Sequence, residues 1–168
     1  MIKRSFGAVV NADVRLLVLG SLPGEESLAR GQYYANPRNQ FWLLMSAATG
    51  IGLLPLAYEE RLRALLGAHV GLWDVVGAAR REGSLDSAIR GHEANPLTAL
   101  IATLPNLRAI GFNGGTAARI GRKAIGETRV ALIPLPSSSP AFTLPFDDKK
   151  RHWMELGRFL DSASGEGL

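Results

Sequence analysis

Asn39, Tyr34 and the triplet Ser137-Ser138-Ser139 are the residues whose types and settings point most clearly to chemistry. Tyr33 and Tyr34 lie in a stretch of small and polar residues where no core periodicity accounts for them. A flat ring there can stack on a nucleobase, and Tyr34 is the better candidate, with the other ring left to packing. Asn36, Arg38 and Asn39 follow, just before an apolar helical pattern restarts at Phe41. Asn39 reads equally as a helix cap and as an amide that holds a water or reads a base edge. The three serines stand between Pro136 and Pro140 with no His or acid spaced to activate them, so they suit clamping of phosphate oxygens and not covalent catalysis. Gly20-Ser21-Leu22-Pro23-Gly24 is either a tight strand-to-loop turn or a cradle of backbone amides. It lacks both the GK[ST] ending and the three-glycine spacing of nucleotide fingerprints. Asp74 is an isolated carboxylate at a strand end, a setting that is structural more often than functional.

Composition removes several other chemistries. There is no cysteine, which excludes disulfides, thiolate metal sites and cysteine nucleophiles. The three histidines, His69, His92 and His152, are far apart, so no metal site is expected. The 168 residues are expected to form one domain, with a core over about 5–160 and a frayed tail at 162–168. No segment is apolar enough for a membrane span and the N-terminus lacks a signal-peptide core, which predicts a cytoplasmic protein. A net charge of +4 leans slightly towards a polyanionic partner. Arg80-Arg81, Arg119, Arg122-Lys123 and Lys149-Lys150-Arg151 read by default as solvated faces.

The elements that must position these residues follow from hydrophobic period. Val14–Leu19 reads as a strand buried on both faces, followed by a helix with Phe41, Leu44, Met45 and Ala48 in its core stripe. A helix opened by Pro55 carries Tyr58, Leu62, Leu65 and Leu66, and His69–Val76 is a second strand. A turn-rich loop and a short helix around Leu85–Ile89 come next. Asn95-Pro96 reads as a cap and first helical position, Leu107–Phe112 as a third strand, Thr116–Ile125 as a helix, and Val130–Leu135 as a fourth strand. A last helix from about Asp148 buries Trp153, Leu156, Phe159 and Leu160. Alternation of strand and helix predicts an α/β fold, three layers α/β/α around a four-stranded, mostly parallel sheet. Ligands bind where loops leave the carboxyl ends of such strands. Gly20–Arg38, the segment after Val75, Asn113–Gly115 and Leu135–Phe142 are therefore expected to share one rim.

Read in register, GSLPGEES, GQYYANPRNQFW, GLWDVV with REGSLDS, GFNGGTA and LPSSSPAF closely resemble the hypoxanthine-DNA glycosylases (DNA-deoxyinosine glycosylases) of the uracil-DNA glycosylase superfamily, from about Ser5 to Phe159. The resemblance implies a monofunctional enzyme without cofactor, whose partner is DNA containing deaminated bases; a monomer is the default expectation. Such an enzyme flips out the nucleotide, most readily deoxyinosine, and hydrolyses its N-glycosidic bond to leave an abasic site. It implies that Tyr34 stacks on the base and that Gly20, Ser21, Leu22, Pro23, Gly24, Phe41 and Asn113 bind substrate, Asn113 in the region that reads the base edge. Arg38, Pro136, Ser137, Ser138 and Ser139 would meet the DNA backbone. Leu22 stands where mismatch-specific relatives have a water-holding Asn, which moves that task to Asn39. Leu135 replaces the His or Asn that opens the last block in relatives.

The chemistry this asks for is dissociative: the base leaves as a delocalised anion, and the site stacks it, stabilises its charge and presents water to an oxocarbenium-like sugar. A glycosylase preferring uracil or xanthine, a non-catalytic nucleic-acid-binding module and a small-molecule hydrolase on the same sheet are the competing expectations.

Overall fold

The apolar run before Gly20 forms the centre of a sheet. The computed structural model describes residues 2–80, 84–85 and 89–161, the side chains of Arg80 and Arg90 excepted. In chain order the elements are β1 (Ile2–Arg4), β2 (Leu16–Gly20), α1 (Glu25–Arg30), α2 (Phe41–Thr49), α3 (Tyr58–Gly67), β3 (Val70–Asp74), β4 (Val76–Arg80), β5 (Arg90–Ala94), α4 (Leu97–Ala102), β6 (Ala109–Asn113), α5 (Gly115–Ile125), β7 (Ala131–Leu135), α6 (Phe146–Met154) and a 3-10 turn (Glu155–Phe159). Four strands make a parallel sheet in the order β3-β2-β6-β7. Its register sets Gly20 beside Asp74, Leu19 beside Phe112 and Asn113 beside Leu135, so four strands end on one rim.

Alternation along β2 divides the core. Leu17 and Leu19 face one way, onto Ile110, Phe112 and the apolar sides of α4 and α5. Leu16 and Val18 face the other, onto Leu44, Met45, Leu65 and Trp153 from α2, α3 and α6. Both faces are covered, which gives the expected three layers. Burying each of Leu16, Leu17, Val18 and Leu19 contributes roughly 1.5–3 kcal/mol. At the opposite edge from the rim, Arg15 Nη1 donates to Leu160 O (2.9 Å) and Arg108 Nη1 to Asp161 O (2.8 Å), tying the end of the described chain to the strand starts.

Several expectations are corrected. The second strand does not run from His69 to Val76; it ends at Asp74, and the chain bends at Val75 into β4. There β1, β4 and β5 form a separate antiparallel sheet where a polar loop was expected. Alternating Ala, Gly and Arg gives that hairpin no apolar period, so its strands are set by pairing and not by pattern. The helix expected around Leu85–Ile89 falls largely on 86–88, which lie outside the described residues, as do Arg81 and the tail 162–168. Asn95 is not a helix cap: its Nδ2 donates to Asp74 O (2.8 Å) and Ser5 Oγ (3.0 Å), joining the two sheets, and α4 starts at Leu97. The last helix starts at Phe146, two residues early, and its Leu156 and Phe159 belong to the 3-10 turn. Among the described residues no helix is long and apolar enough to cross a membrane.

The close approach of α5 to the sheet is fixed by Gly121. A Cβ at this position would overlap the Phe112 ring and lie 3.1 Å from Val75 Cγ1. Gly121→Ala is therefore expected to lower the unfolding free energy by about 1–3 kcal/mol in urea melts despite its better helix propensity. An unchanged or raised midpoint would show that the core relaxes around the added methyl.

Candidate active site

All four expected loops contribute to one open cavity of about 780 Å³ at the carboxyl ends of the strands. Its walls come from the Gly20–Ser27 segment, Tyr33–Asn39, Asp74, Ser84 and Leu85, Asn113–Thr116 and Ser137–Phe142. That volume falls within the roughly 300–1,000 Å³ of small-molecule sites.

Asn39 lies at the junction of two of these walls. Its Oδ1 accepts the N–H of Phe41 (2.9 Å), the first residue of α2, and also accepts the Ser138 hydroxyl (2.8 Å). Gln40, not Asn39, is the residue flanking the helix, so the capping contact is displaced by one position from the expected one. Both lone pairs of the carbonyl are engaged, and the backbone donor at Phe41 fixes which end of the amide is oxygen. The Asn39 NH2 group is then the part left for the cavity, with no acceptor within hydrogen-bonding reach among the described residues. In this arrangement the Asn39 side chain has donors and no free acceptor lone pair to offer the cavity.

Ser138 is the hub. It is 1% exposed; its N–H donates to Asn113 Oδ1 (2.9 Å), its Oγ accepts from Asn113 Nδ2 (2.9 Å), and the same hydroxyl donates to Asn39. Asn113 thus spends its amide on Ser138, with one longer contact from Nδ2 to Tyr34 OH (3.3 Å). It builds the wall and offers little to a base edge. Gly114, at φ +98°, makes the turn after β6 possible, and a side chain there would also sit 3.2 Å from Ser137 Cβ.

Tyr34 lines the cavity with one ring face stacked on Phe41, centroids 3.8 Å apart and planes 10° from parallel. Its backbone is left-handed, φ +55°, a conformation rare outside glycine, and Trp42 Nε1 holds its carbonyl at 3.2 Å. Tyr33 is the packing ring: it is buried edge-on against Phe6 and its hydroxyl donates to Gly7 O (3.0 Å). Burial, then the nearby Asp74 carboxylate, push its phenol pKa far above the usual tyrosine value. Below these rings Gly20 has no room for a side chain, since a Cβ would lie 2.7 Å from Asp74 Oδ1 and 2.8 Å from Tyr34 OH.

The remaining candidates divide. Ser21, Leu22, Pro23 and Gly24 all line the cavity, yet Leu22 is buried in the apolar cluster with Val75 and Val76, and the carbonyls of Gly20 and Ser21 are taken by Val75 and Val76 N–H. Phe41 is fully buried behind Tyr34 and does not reach the cavity. Pro136 also stands outside it, with its carbonyl on Trp153 Nε1 (2.9 Å), while Ser137 and Ser139 line it. Arg38 is exposed on the cavity wall. Arg122 and Lys123 are in the last turn of α5, which carries the chain away from the rim. Lys149 is not on a solvated face at all but buried beneath the serine loop, and burial pushes its pKa below the ordinary lysine value. A signal for it existed: Phe146, Lys149 and Trp153 are spaced three and four apart on one helical face. Phe142 and Leu85, large exposed apolar side chains at the cavity, were also missed.

The chain is similar to known proteins over most of its length. The family model described as the uracil DNA glycosylase superfamily matches residues 8–160. A protein of Methanosarcina acetivorans named hypoxanthine DNA glycosylase is 43% identical over 161 residues, covering 94% of this chain and 99% of its own. One of the same name from Methanosarcina barkeri is 38% identical over 158 residues, covering 92% and 98%. A solution NMR structure from Methanosarcina acetivorans, described as a candidate uracil DNA glycosylase, superimposes with a TM-score of 0.84 at 41% identity, covering 95% of this chain and 99% of that one.

Removing the hub should be felt in stability. Ser138→Ala deletes the donor to Asn39 and the acceptor of Asn113, and is expected to cost about 1–3 kcal/mol in denaturant unfolding. A loss below a few tenths of that range would mean that water or rotated side chains satisfy both amides.

Proposed function

The chain belongs to the uracil DNA glycosylase superfamily, and on that premise we propose that it excises deaminated bases from DNA, hypoxanthine first, by hydrolysing the N-glycosidic bond of a flipped nucleotide. The relatives named hypoxanthine DNA glycosylase support the choice of base. We read about residues 5–160 as the glycosylase domain, working as a monomer on DNA. The observation behind the mechanism is the Asn39 carbonyl, which accepts from both Phe41 N–H and Ser138 Oγ in the cavity wall and so leaves the NH2 as the group to meet a ligand.

The flipped purine lies against the Tyr34 ring, which Phe41 backs and holds in plane. As the glycosidic bond lengthens, negative charge spreads over the purine ring and its exocyclic oxygen. The Asn39 NH2 donates to that charge as it develops, the preorganised donor that such a transition state rewards. The sugar becomes oxocarbenium-like and needs little activation of its water, so the absence of an acceptor at Leu22 is no obstacle. Asn39 acts in this account on the leaving base and not as a base towards water. Ser137, Ser139 and Arg38 line the same opening and grip the phosphates on either side.

Duplexes with a single deoxyinosine, deoxyuridine or deoxyxanthosine, cleaved with alkali after incubation, test this. The deoxyinosine strand is expected to break fastest with wild type. Asn39→Ala should lower its single-turnover rate by about two to three orders of magnitude. Asn39→Asp keeps the oxygen on Phe41 N–H but replaces the donor with a carboxylate, and should be no better than Asn39→Ala. Wild-type-like activity in Asn39→Asp would make Asn39 a water-directing acceptor, and no breakage of any strand would overturn the catalytic reading.

A further inference from the structure

Beneath the serine loop lies a cation to which the reading above gives no task. Lys149 on α6 is 1% exposed, and its Nζ donates to Gln40 Oε1 (2.9 Å) and to Ser139 O (3.2 Å), with the Phe142 ring centroid 5.5 Å away. No carboxylate among the described residues pairs with it. An ammonium withdrawn from water onto neutral acceptors is costly, so packing alone favours an apolar side chain at this point. What it touches suggests why the cost is borne.

Gln40 follows Asn39, and Ser139 follows Ser138. Between these two segments run the Ser138 Oγ to Asn39 Oδ1 bond and a second bond from Gln40 N–H to Ser138 O (3.0 Å). Lys149 adds the third connection by bridging the next side chain and the next carbonyl. Both segments lie outside regular elements, and these three links are what join them directly.

We propose that Lys149 is a positioning residue for glycosidic-bond cleavage, a buried cationic staple that joins the Asn39 turn to the serine loop and so holds the Asn39 amide in its donor orientation. The proposal rests on the glycosylase reading and deepens it: Lys149 never reaches the substrate and acts only through Gln40 and Ser139. It ties the serine loop to the Asn39 turn as one wall of the cavity.

The test is single-turnover cleavage of the deoxyinosine duplex by wild type, Lys149→Met, Lys149→Arg, Gln40→Met and the Lys149→Met/Gln40→Met double variant, beside their affinity for an abasic-site duplex. Lys149→Met is expected to slow cleavage about 30- to 100-fold, as misplacement of a reacting group does, with affinity changed less than about threefold. Lys149→Arg should recover most of the rate. Gln40→Met should lose about tenfold, and the double variant should lose no more than Lys149→Met, because the two residues share one link. If Lys149→Met does not fold, Gln40→Met decides: a wild-type rate there overturns the proposal. Cleavage by Lys149→Met within about threefold of wild type, or additive losses in the double variant, overturns it also. Failure of the wild type to release hypoxanthine is a different outcome, which removes the glycosylase reading on which the staple depends.

Discussion

The direction in which one amide faces governs this site. Asn39 Oδ1 has two lone pairs, and the Phe41 N–H and the Ser138 hydroxyl take both. An amide used this way cannot also accept a proton from water; it presents hydrogens. The consequence reaches back through the structure, because the Ser138 that donates to Asn39 is itself held, by its oxygen and its N–H, by Asn113 at the end of β6. Asn113, which sequence placed at the base edge, is occupied in making Asn39 a donor.

The fold supplies this at modest cost. Parallel strands bring Gly20, Asp74, Asn113 and Leu135 to the same edge, and each loop then leaves by a device suited to close quarters. Gly20 keeps its side without a Cβ so that Tyr34 OH and Asp74 can approach, and Gly114 takes the left-handed turn that sets the serine loop against β6. Tyr34 has no such freedom and is nevertheless left-handed. The stacking on Phe41 and the hydrogen bond from Trp42 hold it there, and strain maintained by surrounding structure is characteristic of sites that bind. The structure gives a superfamily member an open pocket at the strand ends, with an aromatic ring on its wall.

Much of this was legible in sequence. Strands β2 and β6 announce themselves as apolar runs buried on both faces and β7 as an apolar run at the sheet edge, partly buried, and the loops at the rim carry the Gly, Pro, Asn and Ser that it needs. Tyr33 and Tyr34 were expected to divide into a packing ring and a stacking ring; Tyr33 is the more buried of the two, although both line the cavity. The β4–β5 hairpin was not legible, because Val76–Arg80 and Arg90–Ala94 have neither apolar alternation nor a two-residue turn between them. Asn39 was read as cap or function, and the structure dissolves that choice: the oxygen supports the helix start and the nitrogen is left for the cavity. The Phe41 N–H fixes which atom is the oxygen, but its second lone pair is taken by Ser138, 99 residues away, and no local pattern reports a contact at that range. Lys149 was hidden by a helix start placed at Asp148. With Phe146 included, the stripe Phe146, Lys149, Trp153 marks it as inward-facing, and what it meets there is again set by distant segments.

The central claim is that Asn39 faces the leaving base as a donor while its oxygen stays on Ser138. The most direct measurement is a crystal structure of the protein on a duplex carrying a 2′-fluoro deoxyinosine, which binds but resists cleavage. The account predicts the hypoxanthine ring stacked on Tyr34, Asn39 Nδ2 within hydrogen-bonding distance of a purine acceptor, and Oδ1 still held by Ser138 Oγ and Phe41 N. An Asn39 side chain turned about so that Oδ1 meets a water near the sugar, with the Ser138 bond broken, would contradict it.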